Sequence, residues 1–306
     1  MDDAQEGLAW LTKMASASRR LNYTGVFVYQ HGATIETSRI AHYVNSAGGE
    51  FEKLETLDGP AREVIRTNDQ VTRYLPNIKT VTIEKRSARR FPALLPERLT
   101  NGVADNYSVR KAGVDRVAGY ECQVVLLEPR DELRYGHQFC AEVGSGLPLR
   151  ARTLNEKNEA LESFAFTELR IGGSFNRDKV KSRYAASSKH WKVDRSALPV
   201  EETSAETGWV VANRPAGFKK ITELKRSIAG RAAAVSHIVF SDGLAAVSVF
   251  IEPLPKAPVG ENLWHQGAVN IYMRPVADYL VTVLGEAPAA TVMHIANSLE
   301  FRGAAR

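Results

Sequence analysis

Seven histidines, two cysteines and a surplus of lysine and arginine are the side chains of this sequence that could do chemistry, and their spacing limits which chemistry is open. His31, His42, His137, His190, His237, His265 and His294 are scattered, with none paired at i and i+4, and Cys122 and Cys140 stand too far apart for a zinc knuckle. No metal site is expected from that pattern. Gly144-Ser145-Gly146 has strand-like neighbours and no helix after it, so it reads as a turn rather than a phosphate loop. A Gly-x-Ser-x-Gly elbow is absent and the carboxylates are unclustered, so no catalytic residue is nominated and no cofactor is expected. Binding, not catalysis, is the expectation.

Cys122 and Cys140 each lie nine positions from Asp131, the middle of a turn at Pro129 to Glu132. A symmetric hairpin would set them opposite each other, with Cβ atoms about 4.5 to 5.5 Å apart against the roughly 3.8 Å of a disulfide. A cross-strand bond and a pair of buried thiols both remain open on this reading. The bond would matter only in an oxidising compartment.

The formal charge of +5 is unevenly placed. Lys79, Lys85, Arg86, Arg89 and Arg90 oppose only Glu84, and a second basic stretch runs from Arg177 to Arg195. Solvated surface or an anionic partner would explain either stretch. No helix-turn-helix, zinc-finger or RNA-binding signature is present, so a nucleic-acid partner is not expected.

These residues must be positioned by a chain that reads mostly as strands. Residues 3 to 21 carry Leu8, Leu11, Met14, Ala15, Ala17 and Leu21 at helical spacing. Tyr23 to Gln30 follows as a strand with bulk on both faces, Val26 and Val28 on one and Tyr23, Phe27 and Tyr29 on the other; the helix is the expected cover for one of them. Gly25 within it suggests a bend, a bulge or a close backbone approach. Antiparallel strands continue to about residue 169, interrupted by a long loop from Arg86 to Asn106 that could form a flap. With no βαβ alternation, the expected architecture is α+β: a large unclosed antiparallel barrel with packed helices, then a smaller α+β domain with an antiparallel sheet and a C-terminal helix after Pro288. The expected domains are residues 1–186 and 207–306, with a linker at 187–206. No run reaches the roughly 18 apolar residues of a membrane span. Met1-Asp2-Asp3 leads into the first helix without a leader pattern, which suits a cytosolic protein or a secreted one whose leader has been removed.

Tyr-Thr-Gly-Val-Phe-Val-Tyr-Gln-His-Gly at 23 to 32, after an amphipathic helix, resembles the opening of the periplasmic sigma-E regulatory proteins of the RseB/MucB family. Later blocks agree in order and spacing: Leu57 to Val64, Val117-Ala118-Gly119-Tyr120, Arg134-Tyr135-Gly136-His137, Gly146 to Arg150, and Trp209 to Phe218. The resemblance implies a LolA/LolB-like large domain around an apolar cavity and a periplasmic location. It also implies a function: holding the periplasmic region of a membrane-anchored anti-sigma factor of the RseA/MucA type, protecting it from site-1 proteolysis, and releasing it on a lipid-like signal such as lipopolysaccharide, its lipid A part, or a mislocalised acylated lipoprotein. A periplasmic lipid or lipoprotein carrier is the competing reading; self-association is left open. For the cavity, Val26, Val28, Ile40, Leu54, Val64, Val124, Leu126 and Phe166 are the expected lining, with the caution that a register error of one exchanges the faces. For the partner, Trp191, Trp209, Lys189, Lys192 and Arg195 are the expected contacts.

Overall fold

The computed structural model describes residues 3–68, 70–85, 95, 102–174, 176–195, 201–204, 206–227 and 234–303. It begins with helix α1 (Asp3–Arg20), which carries Asp3 and Glu6 in its first turn and Arg19 and Arg20 in its last. Both placements complement the helix dipole. The strands that follow are β1 (Tyr23–His31), β2 (Thr34–Val44), β3 (Glu50–Thr56), β4 (Glu63–Thr67), β5 (Gln70–Leu75) and β6 (Thr80–Lys85). After the short helix α2 (Gly102–Asn106) come β7 (Tyr107–Val117), β8 (Tyr120–Pro129), β9 (Gly136–Glu142), β10 (Pro148–Leu154), β11 (Ala160–Ile171) and β12 (Lys192–Asp194).

These twelve strands form one sheet in the order β12-β6-β5-β4-β3-β2-β1-β11-β10-β9-β8-β7. Every pair is antiparallel except β12 with β6, and the two end strands do not meet, so the barrel is unclosed. Its curvature follows from geometry. Strands β5 and β9 stand seven steps apart, about 34 Å across a flat sheet at ~4.8 Å per strand, yet Arg73 and Phe139 line the same cavity. The Tyr120 hydroxyl also donates across two intervening strands to the Leu169 carbonyl at 3.3 Å.

Helix α1 buries Leu11, Met14 and Ala15 against Val109, Val125, Leu127, Phe139 and Ala151. It therefore packs mainly on β7 to β10 rather than covering β1. The expected lid across one face of β1 is corrected accordingly: α1 reaches β1 through its end, where the Tyr23 hydroxyl donates to the Ser18 carbonyl at 3.4 Å.

The second sheet holds β13 (Glu201–Ser204), β15 (Lys219–Ser227), β16 (Val235–Ser241), β17 (Ala246–Pro253), β18 (Asn262–Gln266), β19 (Val269–Val276) and β20 (Tyr279–Gly285), in the order β13-β15-β16-β17-β20-β19-β18. A separate pair joins β14 (Trp209–Val211) to β21 (Leu299–Phe301). Helix α3 (Ala289–Asn297) seats Val292 and Ile295, both fully buried, in the core of this sheet. The stretch expected to be an exposed linker is more ordered than its polar composition suggests: Lys192–Asp194 extends the large sheet and Glu201–Ser204 the small one. Edge strands need only one partner, so they carry little apolar signal. Most of the flap, residues 86–94 and 96–101, lies outside the described residues; Leu95 is buried beside α1. Among the described residues no helix is long and apolar enough to cross a membrane.

Candidate functional site: a cavity beneath the second domain

Register decides which side chains face one another. Gly25, Ile40, Leu54, Val64 and Arg73 are successive cross-strand partners, so they share a face. Phe27 and Tyr29 lie on that same face by alternation along β1. From the other direction Val125, Phe139, Ala151, Phe164 and Tyr29 form a second such row. Where the rows converge they line a cavity of about 470 Å³, floored by Phe27, Tyr29, Leu54, Val64, Phe139 and Phe164. That volume lies within the usual range for small-molecule sites.

The expected lining is thus half corrected. Leu54 and Val64 line the cavity. Ile40 and Phe166 share its face and are buried in the adjoining wall, where Phe166 meets Phe27 edge to face at 6.3 Å. Val26 and Val28 point to the opposite face, because Phe27 and Tyr29 occupy the inward parity. Val26 there borders a second groove of about 520 Å³, walled by Arg39, Lys53, Glu55, Glu168, Arg170 and Lys179. Val124 lies opposite Cys140, Leu126 packs against the same cluster, and neither reaches the cavity. The signal that would have found the true lining is the larger area of the aromatic set in β1, since bulky rings gain most from leaving water.

The cavity is amphipathic. Around its apolar floor stand Arg62, Arg66, Arg73 and Arg152 with Glu36 and Glu162. Arg62 pairs with Glu36 at 3.2 Å, Arg73 with Glu84 at 2.5 Å, and Arg66 with the buried Glu52. An anionic group entering the cavity would therefore exchange with carboxylates for these guanidinium forks. His137 also lines it, and burial lowers its pKa from 6.5 to about 4, so its ring is neutral near pH 7.

The cysteines are bonded in this structure, with Cα atoms 5.3 Å apart. They are not directly opposed, as a symmetric hairpin would have them: Cys122 faces Glu142 and Cys140 faces Val124, a diagonal arrangement. Trp209, expected at a partner surface, is instead core. It is 5 % exposed and packs against Tyr279 and Phe301, both at 5.2 Å. Trp191 is half-buried against Tyr184 at 5.7 Å, while Lys189, Lys192 and Arg195 are exposed beside it. Among the described residues no group of three His, Cys, Asp or Glu could hold a metal ion.

Two family models match the chain: the MucB/RseB N-terminal domain over residues 6–184 and the MucB/RseB C-terminal domain over residues 203–300. The chain belongs to the MucB/RseB family. The sigma factor AlgU regulatory protein MucB of Pseudomonas aeruginosa is 31% identical over 309 residues, covering 99% of this chain and 93% of that protein. The sigma-E factor regulatory protein RseB of Haemophilus influenzae is 26% identical over 299 residues, covering 95% and 90%. Both relatives are regulatory proteins by name. Among solved structures, the Pseudomonas aeruginosa MucA/MucB complex superposes with a TM-score of 0.76 at 29% identity, covering 98% of this chain and 100% of that one. A crystal structure of MucB gives 0.66 at 29% identity, covering 96% and 98%.

Proposed function

We propose that this protein is a periplasmic negative regulator of envelope-stress signalling that binds the periplasmic region of a membrane-anchored anti-sigma factor and shields it from site-1 proteolysis. A lipid-like molecule, lipopolysaccharide or an acylated lipoprotein, is the releasing signal. The observation that carries this reading is the near-complete match, across both domains, to a MucB whose structure was solved with MucA. The amphipathic cavity supports the second half, because an apolar floor with arginines at its margin suits an acyl chain with an anionic head. Residues 1–186 and 207–306 act in this reading as separate working parts joined through 187–206. The exposed Lys189, Lys192 and Arg195 remain our choice of contacts for the anti-sigma segment, with Trp191 beside them.

Catalysis has no place in this reading. Function is linkage: a ligand that prefers the conformation unable to hold the anti-sigma factor weakens that hold by no more than its own preference. Calorimetric titration with the periplasmic segment of the cognate anti-sigma factor tests the proposal. Binding by the ligand-free protein, reversed by lipopolysaccharide fragments, is expected, and no binding ends it. A lipid carrier is the second reading, favoured by the cavity alone; uptake of lipid without affinity for the anti-sigma segment would select it.

A further inference from the structure

The roof of the cavity belongs to the other domain. Leu244, Gln266, Val269 and Glu286, all from the second sheet or its turns, close over the floor supplied by the first. Leu244, Gln266 and Val269 each sit one or two positions from a bond that docks the domains, and Glu286 is tied to one through its neighbour. Next to Leu244 is Asp242, fully buried, whose Oδ2 accepts from the Arg134 Nη1 at 3.0 Å and from the Tyr107 hydroxyl at 3.2 Å. Between Gln266 and Val269 lies Ala268, whose amide donates to the Glu162 carboxylate at 3.0 Å. Beside Glu286 is Ala287, whose carbonyl accepts from Asn270, which also donates to the Tyr135 hydroxyl at 2.9 Å. The turn before β9 is the key in this lock: Leu133 accepts from the Thr291 hydroxyl at 2.7 Å, and Arg134 lies over the Phe218 ring at 5.3 Å.

We propose that the ligand site is composite, formed only when the two domains are docked, and that Arg134 is the positioning residue that holds it closed. This rests on the reading of the cavity as an amphiphile site. The physical case is direct. A ligand that fits gains apolar contact with Leu244 and Val269 only in the docked state, so occupancy and docking favour each other. The Arg134 side chain is fully buried, and so is Asp242. Removing the cation leaves a buried carboxylate without its charge partner, which strongly penalises the docked arrangement. In an undocked domain that carboxylate can reach water.

The test uses the full chain and a dansyl-labelled undecanoate, an anionic single-chain probe followed by fluorescence. Leu244→Asp should weaken uptake about tenfold or more by placing a negative charge in the roof against an anionic probe, and Arg134→Leu about tenfold, within the usual range for coupled sites. Small-angle scattering should show Arg134→Leu more extended than the unmodified protein, and saturating probe should restore the compact profile, since linkage is reciprocal. Val28→Arg, on the opposite face, should leave uptake unchanged. Unaltered affinity in folded Leu244→Asp and Arg134→Leu overturns the composite site while leaving the amphiphile reading intact. No uptake by the unmodified protein overturns both. Should Arg134→Leu fail to fold, Thr291→Val removes one docking bond more gently, and its expected shift is smaller in the same direction; no shift there, with none in Leu244→Asp, counts against the proposal.

Discussion

At the scale of single residues, burial and charge make firm predictions. Glu63 is fully buried on the face opposite the cavity, where its carboxylate accepts from Lys53 Nζ at 2.9 Å and from the Arg183 Nε and backbone amide at 2.8 and 3.1 Å. Arg183 is half exposed and Lys53 can reach solvent, so breaking the cluster strands no fully buried cation. Glu63→Gln should cost about 2 kcal/mol, the scale of hydrogen bonds to a charged group, in denaturant unfolding, and a loss below a few tenths would contradict the assignment. His137 gives a pH dependence. Its folded pKa is depressed, first by desolvation, from 6.5 to about 4, and burial lowers His237 similarly. The unfolded chain then takes up protons before the folded one, so stability is full above about pH 6.5 and falls as pH drops toward 4. His137→Gln should make that fall shallower in unfolding measured across the window, and an identical slope would show that His137 is not responsible. Residue identity showed in the sequence that the cysteines could reach each other. It did not show inward parity on β1, because both faces of that strand are apolar and only the register with β2 and β11 separates them.

At the scale of elements, the seam between β1 and β11 is where the meander turns back on itself, and Gly25 makes it possible. A Cβ at that position would come within 2.3 Å of the Glu168 carbonyl oxygen, a backbone atom that cannot move aside, next to a register shift between Val26 and Phe27. The close approach anticipated from a glycine inside a strand is therefore real. Gly25→Ala should destabilise by about 1 to 3 kcal/mol, the cost of overpacking, and should appear in hydrogen exchange as faster opening of β1 and β11 amides. Protection equal to that of the unmodified chain would refute it. The disulfide staples β8 to β9 across 18 positions, and both cysteines are fully buried. In the chain-entropy model a loop of that length contributes about 3 kcal/mol, so Cys122→Ser with Cys140→Ser should lose stability of that order with the sheet retained. Strands with clear alternation or strong turn signals, such as β16 and β17 around Ser241-Asp242-Gly243, were legible. Those missed were short edges: β18 has every residue exposed and so shows no apolar period to read.

At the scale of the molecule, the order of domains and their fold classes could be read from the chain, but their docking could not. The contacts that join them come from residues 107, 133 to 135 and 162 on one side and 216, 242, 268, 270 and 291 on the other, and no local pattern says which of these meet. Each domain keeps its own apolar core, one around Trp209, Val249 and Ile295, the others around α1 and around Tyr23 and Phe166. What couples their unfolding is therefore the polar interface together with Leu244, which packs from the second domain against the core around α1. Arg134 is its centre, held by Asp242 at 3.0 Å and by Asp131 at 2.9 Å, with its guanidinium over the Tyr107 ring at 5.8 Å and the Phe218 ring at 5.3 Å. Losing that cation costs the docked state far more than either separate domain, because Asp242 stays desolvated only while the domains are in contact. Scanning calorimetry should then show one coupled transition for the unmodified protein and two for Arg134→Leu, the first lowered and the second near the original. A single transition merely shifted downward would mean that Arg134 stabilises the large domain itself, and the interface would have to be held by the Thr291, Asn270 and Glu162 bonds instead.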